Sequence, residues 1–290
     1  MGKDSNIYME HLEEDEVIPV YFDKCFKLIF GDTNHLERLN SFLSSILQKD
    51  VEVVSLLNTE LIGDNRKNKK NTVDLVCRLN HEYVSIEVNT SFGQTVIDRN
   101  LSFVFRMIGK ELKPGEDYKE ISNYYQINLN TVDYKKEHYD TVYLVSTNTG
   151  SIYTKSIEII NINILYYAKL CYNIASKDEL SETDIWLGII GTNSKSVIDK
   201  ITTDNTVLKE IGDIVKKFSE DDDLVFEYNR EKLMMDDMKE VLTKEVTERV
   251  TKEVTERNTL DIARKMKSKN IDIDTIIEVT DLSKNIIESL

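Results

Sequence analysis

Asn71-Thr-Val-Asp-Leu-Val-Cys-Arg-Leu-Asn-His-Glu-Tyr-Val-Ser-Ile-Glu-Val-Asn89 is the stretch on which the fold turns. Two runs rich in β-branched residues, 72–79 and 83–88, flank a short polar break at Asn80-His81, which is the pattern of an antiparallel hairpin. Centring the turn between Asn80 and His81 sets Asp74 directly opposite Glu87. The same register pairs Val73 with Val88, Leu75 with Ile86 and Cys77 with Val84, because side chains alternate with a period of two. One face is therefore apolar, and the other carries Asp74, Arg78, Ser85, Glu87 and Asn89. Two carboxylates directly across a strand pair destabilise it. A hard divalent cation such as Mg2+ bound between them would turn that repulsion into a ligand set. The other reading is a solvated sheet face on which Arg78 screens the acids, and the pattern alone leaves both open.

Upstream of the hairpin, residues from Tyr21 to Phe30 place Phe22, Phe26, Ile29 and Phe30 on one helical face, with Gly31 as the stop. Asn34 is the expected cap of a second helix bearing Leu36, Leu39, Phe42, Leu43, Ile46 and Leu47. Residues 51–57 read as a strand leading into the basic loop Arg66-Lys-Asn-Lys-Lys70. Downstream, Thr90 or Ser91 caps a long helix striped with Ile97, Leu101, Val104, Phe105, Ile108 and Leu112, ended by Pro114-Gly115. Strands follow at 124–129, 141–146, 152–154 and 157–164, the last interrupted by Asn161 and Asn163. Helices follow at 165–175 and 197–218, with an apolar run at 186–190. This order describes an α/β (α+β) core, a mixed sheet between helices.

The chain has 290 residues, 40% of them hydrophobic, enough for a sizeable core. No run approaches a membrane span, and the N-terminus lacks a basic-then-apolar signal segment. Cys25, Cys77 and Cys171 are far apart and lie in apolar contexts, so they read as reduced, buried thiols of a cytoplasmic protein. The formal net charge of -15 argues against a surface that coats nucleic acid generally. Arg66 to Lys70 is either a local basic patch or an ordinary solvated loop.

Residues 1–18 are polar and acidic and read as a loose arm. Residues 229–258 form a charged helix or stalk in which Lys244-Glu-Val-Thr-Glu-Arg249 recurs as Lys252-Glu-Val-Thr-Glu-Arg257. Leu242, Val246, Val250 and Val254 step by four, drifting about 40° per step on a 3.6-residue helix. The line therefore winds around the helix, although a homo-oligomer formed through it is the alternative. The tail, 259–290, reads as short helices, with Asp274 and Ser283 as caps and helix-turn-helix character at Thr280-Asp-Leu-Ser283. Its acids, Asp272, Asp274, Glu278, Asp281 and Glu288, would repel phosphates, which favours a packing cap over a DNA-reading unit.

Four places together resemble the Rpn group (recombination-promoting nucleases, PD-(D/E)XK nuclease family transposases). They are Asp23-Lys-Cys-Phe-Lys-Leu-Ile-Phe-Gly31, Leu57-Asn-Thr-Glu-Leu61, Val73-Asp-Leu75 with Ile86-Glu-Val-Asn89, and Arg99 with Phe103 before Lys113-Pro-Gly-Glu-Asp-Tyr118. The ending from Ala263 is also similar. The resemblance implies a restriction-endonuclease-like core over 19–228, in which Asp74 and Glu87 bind Mg2+ (or Mn2+) with help from the Val88 carbonyl. It places Asn89 where the superfamily has Lys or Gln. Lys27 and Arg99 become substrate-side residues, and Glu60 an accessory acid. An amide can orient a water or a phosphate but has no useful general-base capacity. The function implied is metal-dependent DNA endonuclease activity, linked to recombination or defence. The alternative is a catalytically weakened or inactive nuclease-fold protein that binds DNA or other partners.

Overall fold

The computed structural model describes residues 11–57, 73–91, 93–111, 122–132, 137–174, 176–202 and 205–290. The elements in chain order are α1 (Asp23–Phe30), α2 (Leu36–Leu47), β1 (Ser55–Leu56), β2 (Leu75–Arg78), β3 (Glu82–Asn89), α3 (Gln94–Glu111), β4 (Asn123–Asn130), β5 (Tyr139–Val145) and β6 (Ile152–Asn163). Helices α4 (Ile164–Asn173), α5 (Glu182–Gly191), α6 (Lys195–Ile201), α7 (Thr206–Phe218), α8 (Asp222–Ser268), α9 (Ile273–Thr280) and α10 (Lys284–Ser289) follow among the described residues. The six strands form one mixed sheet of order β1-β2-β3-β4-β6-β5, so the expected α/β class holds. Strands β3, β4 and β6 run parallel, while β1, β2 and β5 are antiparallel to their neighbours.

The hairpin register follows from alternation. Leu75 pairs with Ile86 and Cys77 with Val84, which puts Asp74 and Glu87 at the next facing positions. Leu75, Cys77, Val84, Ile86, Ile127, Leu129, Ile160 and Ile162 are buried in one large cluster with residues of α1, α2 and α4 to α7. Its aromatic centre is Phe26, Phe30, Phe42 and Trp186, with successive ring centroids 4.9, 5.3 and 5.7 Å apart. Helices α4 and α5 cross so closely that a Cβ at Gly188 would lie 2.3 Å from Cys171 Sγ, and one at Gly191 would lie 2.3 Å from the Ile164 carbonyl oxygen. Only glycine fits there.

Several boundaries differ from the sequence expectation, each for a local reason. Residues 15–18 are anchored rather than loose. The Val17 amide donates to the Asn193 carbonyl at 2.9 Å, Asp15 accepts from Ser194 and Ser196, and Val17 and Ile18 are buried. The N-cap position of the second helix is His35, which makes no side-chain capping bond, and not Asn34, and the long helix after the hairpin starts at Gln94, beyond Thr90 and Ser91. The strand expected over 51–57 shortens to two residues. The two expected over 152–154 and 157–164 merge into one of twelve residues, with the pairing to β5 shifting register between Val142 and Leu144. Residues 197–218 divide into two helices, with the Asn205 side chain accepting from the Val207 and Leu208 amides to begin the second. Pro114-Gly115 lies outside the described residues. All three cysteines are free and buried, and burial pushes each thiol up to about 12.

The chain divides into two compact units, residues 1–228 and 229–290. In the second, Leu242, Val246, Val250 and Val254 are each about half exposed along α8. Its end is a small three-helix cap around Ala263, Ile276 and Ile287. Asp272, rather than Asp274, caps α9 by accepting from the Thr275 amide at 2.9 Å. Ser283 stands at the start of α10 without a side-chain capping bond.

Candidate active site

Asp74 and Glu87 are cross-braced by each other's backbone. The Asp74 amide donates to Glu87 Oε2 at 3.1 Å, and the Val88 amide donates to Asp74 Oδ2 at 2.7 Å. This bracing follows directly from the hairpin register. Two carboxylates at facing positions curl back onto the backbone of the opposite strand, which leaves Asp74 Oδ1 and Glu87 Oε1 for other partners. Lys27, reaching over from α1, puts Nζ 3.7 Å from Asp74 Oδ1 and 2.6 Å from Asp23 one turn earlier. Arg99, on α3, puts Nη2 2.5 Å from Glu87 Oε1.

The face carrying these acids is not solvated. Glu87 is 4% exposed, and Ser85, Asn89, Gln126, Asn128 and Asn130 are buried with it. Helix α3 lies over this face, with Phe103 packed on Val73 and Val76. Arg78 is exposed and does not screen the pair. The reading of a solvated face therefore gives way, because the polar side of the hairpin has a helix on top of it.

Burial and the neighbouring Asp74 charge push Glu87 up to about 8, more than Arg99 and the Asp74 amide pull it down. Burial also raises Asp74 against the pull of the Val88 amide and Lys27, and a hydrogen bond with Asp23 raises it further. Lys27 is raised overall: burial works against its charge, but Asp23, Asp74 and Glu87 outweigh it. Burial and mutual repulsion thus keep this pair from full ionisation, while Lys27 and Arg99 sit at its outward oxygens.

Asn89 is held at both ends of its amide. Its Oδ1 accepts from Arg99 Nη2 at 2.9 Å, and its Nδ2 donates to Asn130 Oδ1 at 3.1 Å. From there an amide network spreads across the sheet. Asn128 Oδ1 accepts from Asn100 Nδ2 at 2.9 Å and Gln126 Nε2 at 3.0 Å, while Asn128 Nδ2 donates to Asn161 Oδ1 at 2.9 Å. Gln126 Oε1 in turn accepts from the Ser85 hydroxyl at 2.5 Å. These groups form the floor of a cavity of about 340 Å³ under α3, walled by apolar residues such as Leu101 and Phe105.

The fold thus brings Asp74, Glu87, Asn89, Lys27 and Arg99 together. Glu60 and the Arg66 to Lys70 loop lie outside the described residues. At Val88 the backbone amide donates to Asp74 Oδ2. Asp23 and the amide network went unnoticed in the sequence. Asp23 precedes Lys27 by one helical turn, a spacing that puts both on one face. Gln126, Asn128 and Asn130 alternate with Tyr125, Ile127 and Leu129, so their shared face was readable, but not what covers it.

Among the described residues no group of three or more His, Cys, Asp or Glu side chains is arranged to hold a metal. Two hard carboxylates do fit a divalent cation of the Mg2+ type, which commonly takes one or two protein carboxylates and completes its shell with water and phosphate oxygens.

A family model described as PD-(D/E)XK nuclease family transposase matches residues 20–245. No curated protein and no solved structure matches the chain. No helix among the described residues is long and apolar enough to cross a membrane.

Proposed function

The chain belongs to the PD-(D/E)XK nuclease family transposases, and from that membership we propose that it hydrolyses phosphodiester bonds of DNA with Mg2+ or Mn2+ held by Asp74 and Glu87. The observation that carries the proposal is the buried, cross-braced Asp74/Glu87 pair, with one cationic side chain at each outward oxygen. A bound cation would supply Lewis acidity at the phosphate and a more acidic water. Asp74 and Glu87 would hold it. Arg99 fixes the Glu87 carboxylate from α3, and Lys27 neutralises the incoming backbone. The water oxygen bonds to phosphorus as the water gives a proton to solvent, and the bond to the leaving sugar oxygen breaks as that oxygen takes a proton from solvent. Recombination, defence or element mobility would each use this same chemistry.

Supercoiled plasmid is the test substrate. The wild type should nick it with Mg2+ and not with EDTA, while Asp74→Ala and Glu87→Ala should lose the activity. Equal cleavage by all three proteins would sink the proposal. A second reading rests on Asn89, whose amide is engaged at both ends and leaves the superfamily's Lys/Gln place without a charge. In that reading the fold binds DNA without cutting it, and the same assay would show retardation of the plasmid with no change in its topology.

Self-association through α8 would cover the half-exposed line Leu242, Val246, Val250 and Val254. Light scattering should then give twice the chain mass for the wild type and the single mass for Val246→Lys/Val250→Lys. A single mass for both proteins would refute it.

A further inference from the structure

We propose that Lys27 supplies the positive charge that a Lys two residues after Glu87 would bring and that Asn89 does not carry. This deepens the nuclease reading and rests on it. Asn89 cannot turn to the task, since it is 3% exposed and its amide is bonded to Arg99 and to Asn130. Arg99 is committed as well. Its guanidinium holds Glu87 Oε1 at 2.5 Å and Asn89 Oδ1 at 2.9 Å, and its Nε lies 3.4 Å from Asn100 Oδ1. It therefore acts through Glu87 as a positioning residue.

Lys27 differs in every respect that matters. Its side chain is 47% exposed, it stands 3.7 Å from the outward oxygen of Asp74, and its other contact is the exposed Asp23 one turn back on the same helix. A flexible four-carbon stem with three rotatable donors can swing from Asp23 to a phosphate that docks on Asp74. The helix holding it is fixed, because Cys25, Phe26, Ile29 and Phe30 are buried on its opposite side. The stem is thus anchored while the head stays free to re-aim. When water adds to phosphorus, negative charge grows on the phosphoryl oxygens, and an ammonium at that point stabilises the transition state more than the bound ground state. Asp23 then becomes the parking partner that holds the ammonium near the site between substrates.

The experiment is steady-state cleavage of a fluorescent duplex by the full-length protein with Mg2+, reading kcat and KM separately. Wild type, Asp74→Ala, Lys27→Met, Lys27→Arg and the double variant Lys27→Met/Asn89→Lys are compared, with a thermal melt of each. Lys27→Met should lower kcat about 100-fold with KM within a factor of three. Lys27→Arg should recover at least tenfold of that loss. The double variant, which restores an ammonium next to Glu87, should also exceed Lys27→Met by tenfold or more. Should the double variant not fold, the Lys27→Arg recovery and the kcat-against-KM split carry the result. Wild-type kcat in Lys27→Met, or a change confined to KM, would overturn the assignment while leaving the nuclease reading intact. Absence of Mg2+-dependent cleavage in the wild type itself would overturn both.

Discussion

The two faces of the β2–β3–β4–β6 sheet are built from alternate residues of the same strands, and both are buried, yet they do opposite work. On one, Leu75, Ile86, Ile127, Leu129 and Ile160 pack against α1, α2 and α4 to α7. On the other, Asp74, Ser85, Glu87, Asn89, Gln126 and Asn128 bond one another under α3. The first face drives folding through apolar area removed from water. The second contributes little net stability, because each hydrogen bond replaces one to water, and it becomes costly only when half broken. What the contrast teaches is that neighbouring positions in β3 should respond to mutation in different currencies, stability at Ile86 and chemistry at Glu87.

Exchanging those currencies is the hardest test. Ile86→Asp puts an unpaired charge in the main core, costs several kcal/mol and should leave no cooperative urea transition at 25 °C. Glu87→Gln, one residue on, should keep its transition while cleavage falls by about 1,000-fold, roughly 4 kcal/mol of transition-state stabilisation. If the two variants behaved alike in either assay, the division between the faces would fail. A smaller effect comes from Asn128→Leu, which strands the Asn100 and Gln126 amide donors and the Asn161 acceptor. A loss of about 1–3 kcal/mol by urea denaturation is expected.

A further effect is in pH dependence. Because Glu87 is raised from 4.5 to about 8 in the folded protein, the native state holds a proton that the unfolded chain releases. Its contribution is fully present below about pH 4.5 and is lost as pH rises through about 8. In EDTA, the melting temperature of the wild type should therefore drop by about 10 °C more than that of Glu87→Gln between pH 5 and pH 8.5. Equal drops would remove Glu87 as the cause.

The hairpin register was legible because a period-two alternation permits only one pairing that puts Leu75, Cys77, Val84 and Ile86 on the same side. From that register came the facing of Asp74 and Glu87. The cover on the polar face was not legible. Nothing local in Ser85, Gln126 or Asn128 distinguishes an amide facing water from one facing Asn100 of a helix that packs later. Asp23 was missed for the same reason, since its partner Asp74 is 51 residues away and only the packing of α1 brings them together. Helix starts slipped by one or two residues, as at His35 and Asp272, because several adjacent Asn, Asp and His residues compete for the N-cap position. The line of apolar residues on α8 was legible as a drift around the helix, and the structure leaves those residues half exposed.

The central claim is that Asp74 and Glu87 together hold a divalent cation, and calorimetric titration with Mn2+ tests it most directly. The wild type should show one saturable site, which Asp74→Asn and Glu87→Gln each abolish while their melting curves remain cooperative. A wild type that takes up no Mn2+, or three identical isotherms, would contradict the account.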